Sequence, residues 1–259
     1  SALEYASSNG KLLLNGHSHI DTAWLWPLKE TVRKCGRTFS TALRLMEQYP
    51  EYYFIQSQAQ QFEYTKKYYP KLYEQIKERI KEGRWEPTGG TWIEHDCNLI
   101  SGESFVRQIL LGKRFFMKEF GIEPKVAWLP DTFGFNWILP QILKKGGYDY
   151  FVTNKIMWIY ENKFPYDIFT WRGNDGSEIL SYFPPSPGGY NGMLNAPEIK
   201  ATWDNFRQKD KADELLYQFG FGDGGGGPTA EMLEYAKRLH DMPGMPKCAT
   251  GRADDYFER

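Results

Sequence analysis

Short apolar runs alternate with amphipathic stretches along the chain, and this alternation constrains the fold more than any other feature of the sequence. A strand followed by a helix, repeated about seven times, is typical of a mostly parallel sheet that closes, or nearly closes, into a β/α barrel. The turn Asn174-Asp175-Gly176 is a local exception, because it predicts a hairpin. We therefore predict an α/β fold with strands at residues 11–15, 53–55, 85–88, 125–129, 150–152, 169–171, 179–183 and 215–219, and helices at 31–48, 58–81, 101–120, 138–145 and 228–239.

The size and charge of the chain fit one catalytic domain, and we expect residues 1–259 to form it. With 32 basic and 33 acidic residues the net charge is −1, so neither nucleic acid nor an anionic membrane is an expected partner. No apolar run approaches the ~18 residues of a membrane span, and no secretory leader is recognisable. Because the chain opens at Ser1 and stops within a plausible helix, we expect it to be part of a longer multidomain protein. Any homo-oligomer is then expected to form through parts outside these residues.

The cysteines indicate the compartment. They are sparse, odd in number and contain no CxxC pair, which argues against a disulfide framework and fits a reducing environment. We expect a cytoplasmic protein, ahead of a vacuolar or lysosomal one, on the basis of Cys35, Cys97 and Cys248.

Polar motifs directly follow several of the predicted strands. In a parallel sheet the carboxyl ends of the strands share one edge, and the chemistry sits there. We therefore expect these segments to face one mouth: residues 17–21 (HSHID), 89–96 (GGTWIEHD), 130–134 (PDTFG) and 222–227 (GDGGGG). The Pro/Gly-rich stretch at residues 184–192 is predicted to be a surface lid or binding loop rather than a domain linker.

A metal site is the first chemistry that these motifs suggest. His19 and Asp21 lie two apart beyond a strand, so in an extended segment they point the same way and can hold one ion. Imidazole with carboxylate suits zinc or a similar divalent metal, and Asp131 could supply a third ligand. His17 is an alternative ligand, although a role in orienting a neighbour is favoured. His95 is a further candidate, either as a ligand or as a hydrogen-bonded wall of the site.

Glycoside hydrolysis is the second chemistry that the motifs suggest, since it usually needs a pair of carboxyl groups flanking the scissile bond. Asp131 would stay ionised beside a metal, as a nucleophile must. Asp223 precedes four glycines that let the backbone approach a ligand. A phosphate-binding loop would want Lys-Ser/Thr after those glycines, whereas Pro228 and Thr229 follow them. The carboxylates held in reserve are Glu94, Asp96 and Glu103.

Taken together, four motifs resemble glycoside hydrolase family 38, in its cytosolic or vacuolar α-mannosidase branch: GHSHIDTAWLWP (16–27), GGTWIEHDCNLISGES (89–104), WLPDTFGF (128–135) and GFGDGGGGP (220–228). The resemblance covers essentially the whole chain. It implies a seven-stranded α/β barrel, a bound Zn²⁺ (Co²⁺ or Mn²⁺ being alternatives) and a retaining double displacement on terminal α-D-mannose of oligosaccharides.

The same resemblance implies roles for individual residues. His19 and Asp21 would be metal ligands, Asp131 both ligand and nucleophile, and Asp223 the best match for the acid/base. The residues implied to contact or wall the sugar are Trp24, Trp92, Asp96 and Phe133. The family adds a later His ligand, and no suitable one follows Asp223 here because His240 is predicted inside a helix. We therefore expect that ligand beyond Arg259, with water or His95 taking its place in the isolated piece. The piece alone can then be inactive even though its parent is active.

Two other functions remain open from the sequence. A metal-dependent carbohydrate deacetylase also places His and Asp ligands at strand ends of an irregular barrel. A non-catalytic sugar-binding module could descend from a decayed enzyme. The joint presence of His19, Asp21, Asp131 and Asp223 argues against decay, since they have no evident structural need.

Overall fold

The computed structural model describes residues 10–159 and 161–259, which form a layered α/β domain. Its strands are β1 (Lys11–His17), β2 (Phe54–Gln56), β3 (Trp85–Pro87), β4 (Val126–Trp128), β5 (Tyr150–Val152), β6 (Ile168–Arg172), β7 (Glu178–Tyr182), β8 (Glu214–Phe219) and β9 (Lys247–Thr250). Its helices are α1 (Leu28–Gln48), α2 (Ala59–Tyr68), α3 (Pro70–Lys81), α4 (Gly102–Phe120), α5 (Leu139–Lys145), α6 (Ala196–Asn205), α7 (Ala230–Leu239) and α8 (Ala253–Glu258), with a 3-10 turn at Lys155–Met157.

The strands form two sheets. One has the order β3-β2-β1-β8, with β9 also pairing with β1, and all of its pairs are parallel. The other has the order β4-β5-β7-β6, and only its β6–β7 hairpin is antiparallel. The mixed α/β fold with parallel sheets is thus confirmed. A single closed seven-stranded barrel is not, because the strands of the described ranges divide into five-stranded and four-stranded sheets.

Individual contacts link β8 of the first sheet to β7 and to the loop that follows it, without a continuous ladder. The Tyr182 hydroxyl at the end of β7 donates to the Leu216 carbonyl of β8 at 2.6 Å. An isolated parallel bridge pairs Gly192 with Phe219. Beneath the helices, Trp85 packs between Phe39 at 5.3 Å and Phe54 at 4.7 Å, which anchors α1 on the first sheet. The short strands are held in place by such aromatic packing as well as by their ladders.

Local signals placed several elements correctly. Ser101 caps α4, since its Oγ accepts a hydrogen bond from the Ser104 amide at 3.2 Å. Asp175 in the hairpin turn accepts from the Ser177 amide at 3.0 Å. The helix at residues 31–48 is confirmed and begins three residues earlier, at Leu28.

The prediction of a single helix at residues 58–81 was wrong. The structure has two helices there, α2 and α3, separated by Tyr69 in a non-helical conformation. Pro70 explains the break, because a proline disfavours the helical conformation of the residue before it and is well suited to the first helical turn. Helix α6 and strand β9 were not predicted from the sequence.

No helix among the described residues is both long enough and apolar enough to cross a membrane.

Candidate active site

Three polar side chains from two strand ends converge at one point. His19 and Asp21 follow β1, and Asp131 follows β4, as the sequence predicted. The Nε2 atom of His19 lies 3.3 Å from Asp21 Oδ1 and 3.6 Å from Asp131 Oδ2. One ligand atom from each residue falls within 4.8 Å of the other two. The three predicted metal ligands are therefore neighbours.

These separations fit a shared divalent ion. Two ligands each ~2.0–2.1 Å from a tetrahedral zinc lie ~3.3–3.4 Å apart, close to the two distances from His19 Nε2. An imidazole and two carboxylates form a donor set that zinc, cobalt and manganese all accept. Burial lowers the pKa of His19, but hydrogen bonds with Asp131 and Asp21 outweigh it and raise the pKa to about 10. The carboxylates thus attract a cation to the position of that proton, which a metal would displace.

Glu94 contacts both His19 and the backbone of Asp131. Its Oε2 lies 3.4 Å from His19 Nδ1, the ring atom that faces away from the two aspartates. Its Oε1 accepts hydrogen bonds from the Asp131 amide at 2.6 Å and from the Thr132 hydroxyl at 3.2 Å. Burial raises the pKa of Glu94 to about 7. A carboxylate that orients a ligating histidine is a common second contact in metal sites.

Two residues that the sequence analysis did not single out bind Asp131 on its other side. Lys155 Nζ lies 2.7 Å from Asp131 Oδ1, and the Tyr190 hydroxyl donates to the same oxygen. Partial burial acts to raise the pKa of Asp131, but His19, Lys155 and Tyr190 outweigh it and hold the pKa well below its usual range. Lys155 follows β5, so the rule that chemistry lies at strand ends could have identified it. Tyr190 belongs to the predicted binding loop at residues 184–192.

The two alternative histidine ligands take other places. His17 is buried beneath the site, with Nδ1 3.4 Å from the Tyr190 carbonyl and its ring 5.6 Å from Trp128. Burial lowers the pKa of His17 to about 3, so it is neutral. His95 Nδ1 lies 3.3 Å from the Ile93 carbonyl. His95 also lines the cavity that contains His19, where a hydrogen-bonded wall residue was one of the two expectations for it.

The GDGGGG segment lies against the HID motif, as expected. The Asp21 amide donates to the Asp223 carbonyl at 3.4 Å, and Ile20 forms an antiparallel bridge with Gly224. Asp223 has a positive φ of 52°, an uncommon backbone conformation for a residue with a side chain. Gly225 also has a positive φ, and a Cβ there would lie 2.7 Å from Ile20 Cγ1. The glycines thus permit the close packing that brings Asp223 to the site.

The predicted sugar-contacting residues divide into two pairs. Asp96 and Phe133 line the cavity that contains His19 and Asp131. Trp24 does not, and its ring packs edge-on against Trp26 at 5.6 Å. Trp92 does not either, because its Nε1 donates to Gln60 Oε1 at 2.9 Å and its ring packs on Phe115. His240 is exposed at the end of α7 and pairs with Asp241.

Two cavities are lined by Asp131 or by the residues that bind it. The smaller, of about 380 Å³, contains the three candidate ligands. The larger, of about 600 Å³, is lined by Lys155, Tyr190 and Asp223 together with much of the loop at 184–192. Lys155 and Tyr190, which line the larger cavity, both bind Asp131, which lines the smaller one. Each of the two volumes falls within the range of small-ligand sites.

Comparison with known proteins decides the family. Residues 9–259 match the Glycosyl hydrolases family 38 N-terminal domain. The chain belongs to this family. The resemblance stated from the four motifs is thereby confirmed.

Among similar curated proteins, α-mannosidase 2C1 of Homo sapiens is 51% identical over 232 residues, covering 90% of this chain and 22% of that protein. α-Mannosidase G of Dictyostelium discoideum is 46% identical and covers 94% of this chain and 22% of its own length. The α-mannosidase of Saccharomyces cerevisiae is 39% identical, with 98% and 24% covered. The chain therefore spans less than a quarter of the length of these relatives.

Solved structures show the same fold. An α-mannosidase from Enterococcus faecalis V583 aligns with a TM-score of 0.75 at 22% identity, covering 96% of this chain and 29% of that one. A polysaccharide deacetylase, described as putative, from Mycobacterium smegmatis aligns with a TM-score of 0.60 at 12% identity, covering 96% and 90%. At these identities the likeness concerns the fold alone, and the two proteins differ in the activity they are named for.

Proposed function

We propose that this chain is the catalytic domain of a retaining α-mannosidase, which in the intact protein removes terminal non-reducing α-D-mannose from oligosaccharides and N-glycans. The observation that carries the proposal is the convergence of His19, Asp21 and Asp131 around one point in a family 38 domain. The barrel-like arrangement that the resemblance implies is part of the proposal, with the two sheets as its halves.

His19, Asp21 and Asp131 would hold the metal, with Zn²⁺ favoured over Co²⁺ and Mn²⁺. When bound, the ion supplies a Lewis acid that can bind the neighbouring 2- and 3-hydroxyls of mannose. Glu94 fixes the ring of His19 and the backbone at Asp131, so the ligands are oriented before substrate arrives.

Asp131 is the proposed nucleophile. It is ionised, because His19, Lys155 and Tyr190 hold its pKa well below the usual range. Its carboxylate would attack C1 of mannose and form a glycosyl-enzyme ester as the bond to the leaving oxygen breaks. Asp96 and Phe133, in the wall of the same cavity, would contact the sugar ring.

Asp223 is the proposed acid/base. It lines the larger cavity and has a positive φ of 52°, which is uncommon for a residue with a side chain. It would protonate the leaving oxygen, then take a proton from the water that cleaves the ester. Because the anomeric carbon is inverted twice, its configuration is retained.

The proposed setting is the cytoplasm, consistent with Cys35, Cys97 and Cys248, which are all free and buried. The proposed partner is a mannose-containing oligosaccharide, with no nucleic acid or membrane involved.

The test uses the intact protein, an aryl α-mannoside and an acetylated sugar. We expect α-mannose as the first product seen by NMR, and no release of acetate. Asp131→Asn should lower kcat at least about 1,000-fold. Asp175→Asn, in the exposed hairpin turn, is the matched control and should leave kcat unchanged. Release of acetate without release of mannose would favour the deacetylase alternative, and sugar binding without either product would favour the binding module.

A further inference from the structure

The side chain of Lys155 is largely enclosed by its neighbours at the edge of the larger cavity. Its side chain is 6% exposed, although lysine normally keeps its ammonium group in water. Aromatic rings surround the nitrogen, with ring centres at 3.6 Å for Trp158, 4.7 Å for Phe133 and 5.7 Å for Tyr190. Its one carboxylate contact among the described residues is Asp131. A buried charge is costly unless it is paired, so this contact is part of the construction of the site.

The two oxygens of the Asp131 carboxylate have different partners. Oδ1 receives Lys155 Nζ at 2.7 Å and the Tyr190 hydroxyl, whereas Oδ2 faces His19 Nε2 at 3.6 Å. The terminal torsion of aspartate is broad, so an unrestrained carboxylate can turn and present both of its oxygens to one neighbour. Here two donors bind one oxygen and oppose that rotation.

Resting on the proposed function, we propose that Lys155 is a positioning residue for Asp131: it binds Oδ1 so that only Oδ2 is presented to the metal. The aromatic rings hold the ammonium group against the carboxylate, and Tyr190 contributes the second donor. Lys155 acts through Asp131 and need not touch the sugar. The nucleophile would thereby keep one orientation throughout turnover, as efficient attack requires.

The first test measures kinetics of the intact protein carrying Lys155→Met, which keeps the stem of the side chain and removes its charge. We expect kcat for an aryl α-mannoside to fall about 100-fold, with KM changed by less than about threefold. Lys155→Arg should recover kcat to within about tenfold of the unchanged protein, because a guanidinium keeps a donor and stacks on aromatic rings. The control is Lys118→Met, an exposed lysine on α4 outside both cavities, which should change nothing.

The second test does not depend on activity. The protein is loaded with Co²⁺, whose visible absorption weakens as its coordination number rises. In Lys155→Met, Asp131 becomes free to bind through both oxygens, so we expect one ion per protein with weaker absorption than in the unchanged protein. Lys155→Arg should retain the original spectrum.

The two tests separate this inference from the proposed function. An unchanged protein that hydrolyses no α-mannoside refutes the function, while the cobalt spectrum still judges Lys155. If the unchanged protein is active, a Lys155→Met protein with both kcat within about threefold and an unaltered cobalt spectrum overturns the inference. Failure of Lys155→Arg to restore either property would also overturn it.

Discussion

Gly112 on α4 lies where no side chain fits, which gives a test of how the fold supports the site. A Cβ at this position would lie 2.4 Å from both the Gly90 carbonyl oxygen and the Thr91 carbonyl carbon. The helix thus packs directly on the backbone of the GGTWIEHD segment. The same helix binds that segment again through Gln108, whose carbonyl accepts from the Trp92 amide at 2.9 Å. Gly112→Ala should therefore move the segment that carries Glu94.

The size of the effect follows from these distances. Ordinary Cβ contacts begin at 3.4 Å, so helix and segment must separate by about 1 Å, and overpacking of this kind costs about 1–3 kcal/mol. The higher helix propensity of alanine offsets up to about 1 kcal/mol of it. We expect a net local loss of about 1–2 kcal/mol, which corresponds to exchange of protected amides that is roughly 5- to 30-fold faster.

The assay is hydrogen exchange of the intact protein, followed in peptides covering α4 and residues 89–96, together with kcat for an aryl α-mannoside. Gly102→Ala is the matched control, because it lies on the same helix with no atom within 4 Å of its added Cβ. We expect faster exchange and a lower kcat in Gly112→Ala, and neither in Gly102→Ala. Equal exchange in the two variants would refute the reasoning.

Three further predictions test other parts of the molecule. Trp92→Phe should lower the free energy of unfolding by about 1 kcal/mol, measured as a lower Tm, because it removes the hydrogen bond from Trp92 to Gln60. The KM for mannosides should not change, because Trp92 does not line the cavity. Burial raises the pKa of Glu86, whose carboxyl accepts a hydrogen bond from the Ala253 amide. The folded state therefore loses stability as the pH rises from the unfolded pKa of about 4.3 to the raised folded pKa. Glu86→Gln should flatten the fall in Tm between these two pH values. Removal of the metal by a chelator should abolish mannosidase activity and lower Tm, and addition of Zn²⁺, Co²⁺ or Mn²⁺ should restore both. Activity that survives complete removal of the metal would contradict the metal assignment.

The sequence predicted most of the strands and the common edge where their polar motifs meet. It did so because buried strands are short apolar runs, and the residues that follow parallel strands must share one end of the sheet. It did not predict α6, although Asn195 caps that helix by accepting from the Glu198 amide. The composition around this cap is mixed, and its apolar spacing is weak. The division of the strands into two sheets also lay beyond local patterns, because it depends on long-range pairing.

The candidate site was predicted in part for the same reason. His19, Asp21 and Asp131 were found because they occur in short, recognisable motifs. Lys155 lies in a 3-10 turn and Tyr190 in a loop. Neither was singled out, since each is an isolated residue whose contact with Asp131 forms only on folding. Trp92 was assigned by its motif to the wall of the sugar site, whereas the structure packs it against Phe115. A motif fixes the position of a residue in the chain but not the direction of its side chain.

The most direct measurement is X-ray diffraction from crystals of the intact protein with zinc, with anomalous data collected at the zinc edge. We expect one strong peak about 2.0–2.2 Å from His19 Nε2, Asp21 and Asp131 Oδ2. A zinc ion bound elsewhere, or one that contacts His19 and Asp21 without Asp131, would contradict it.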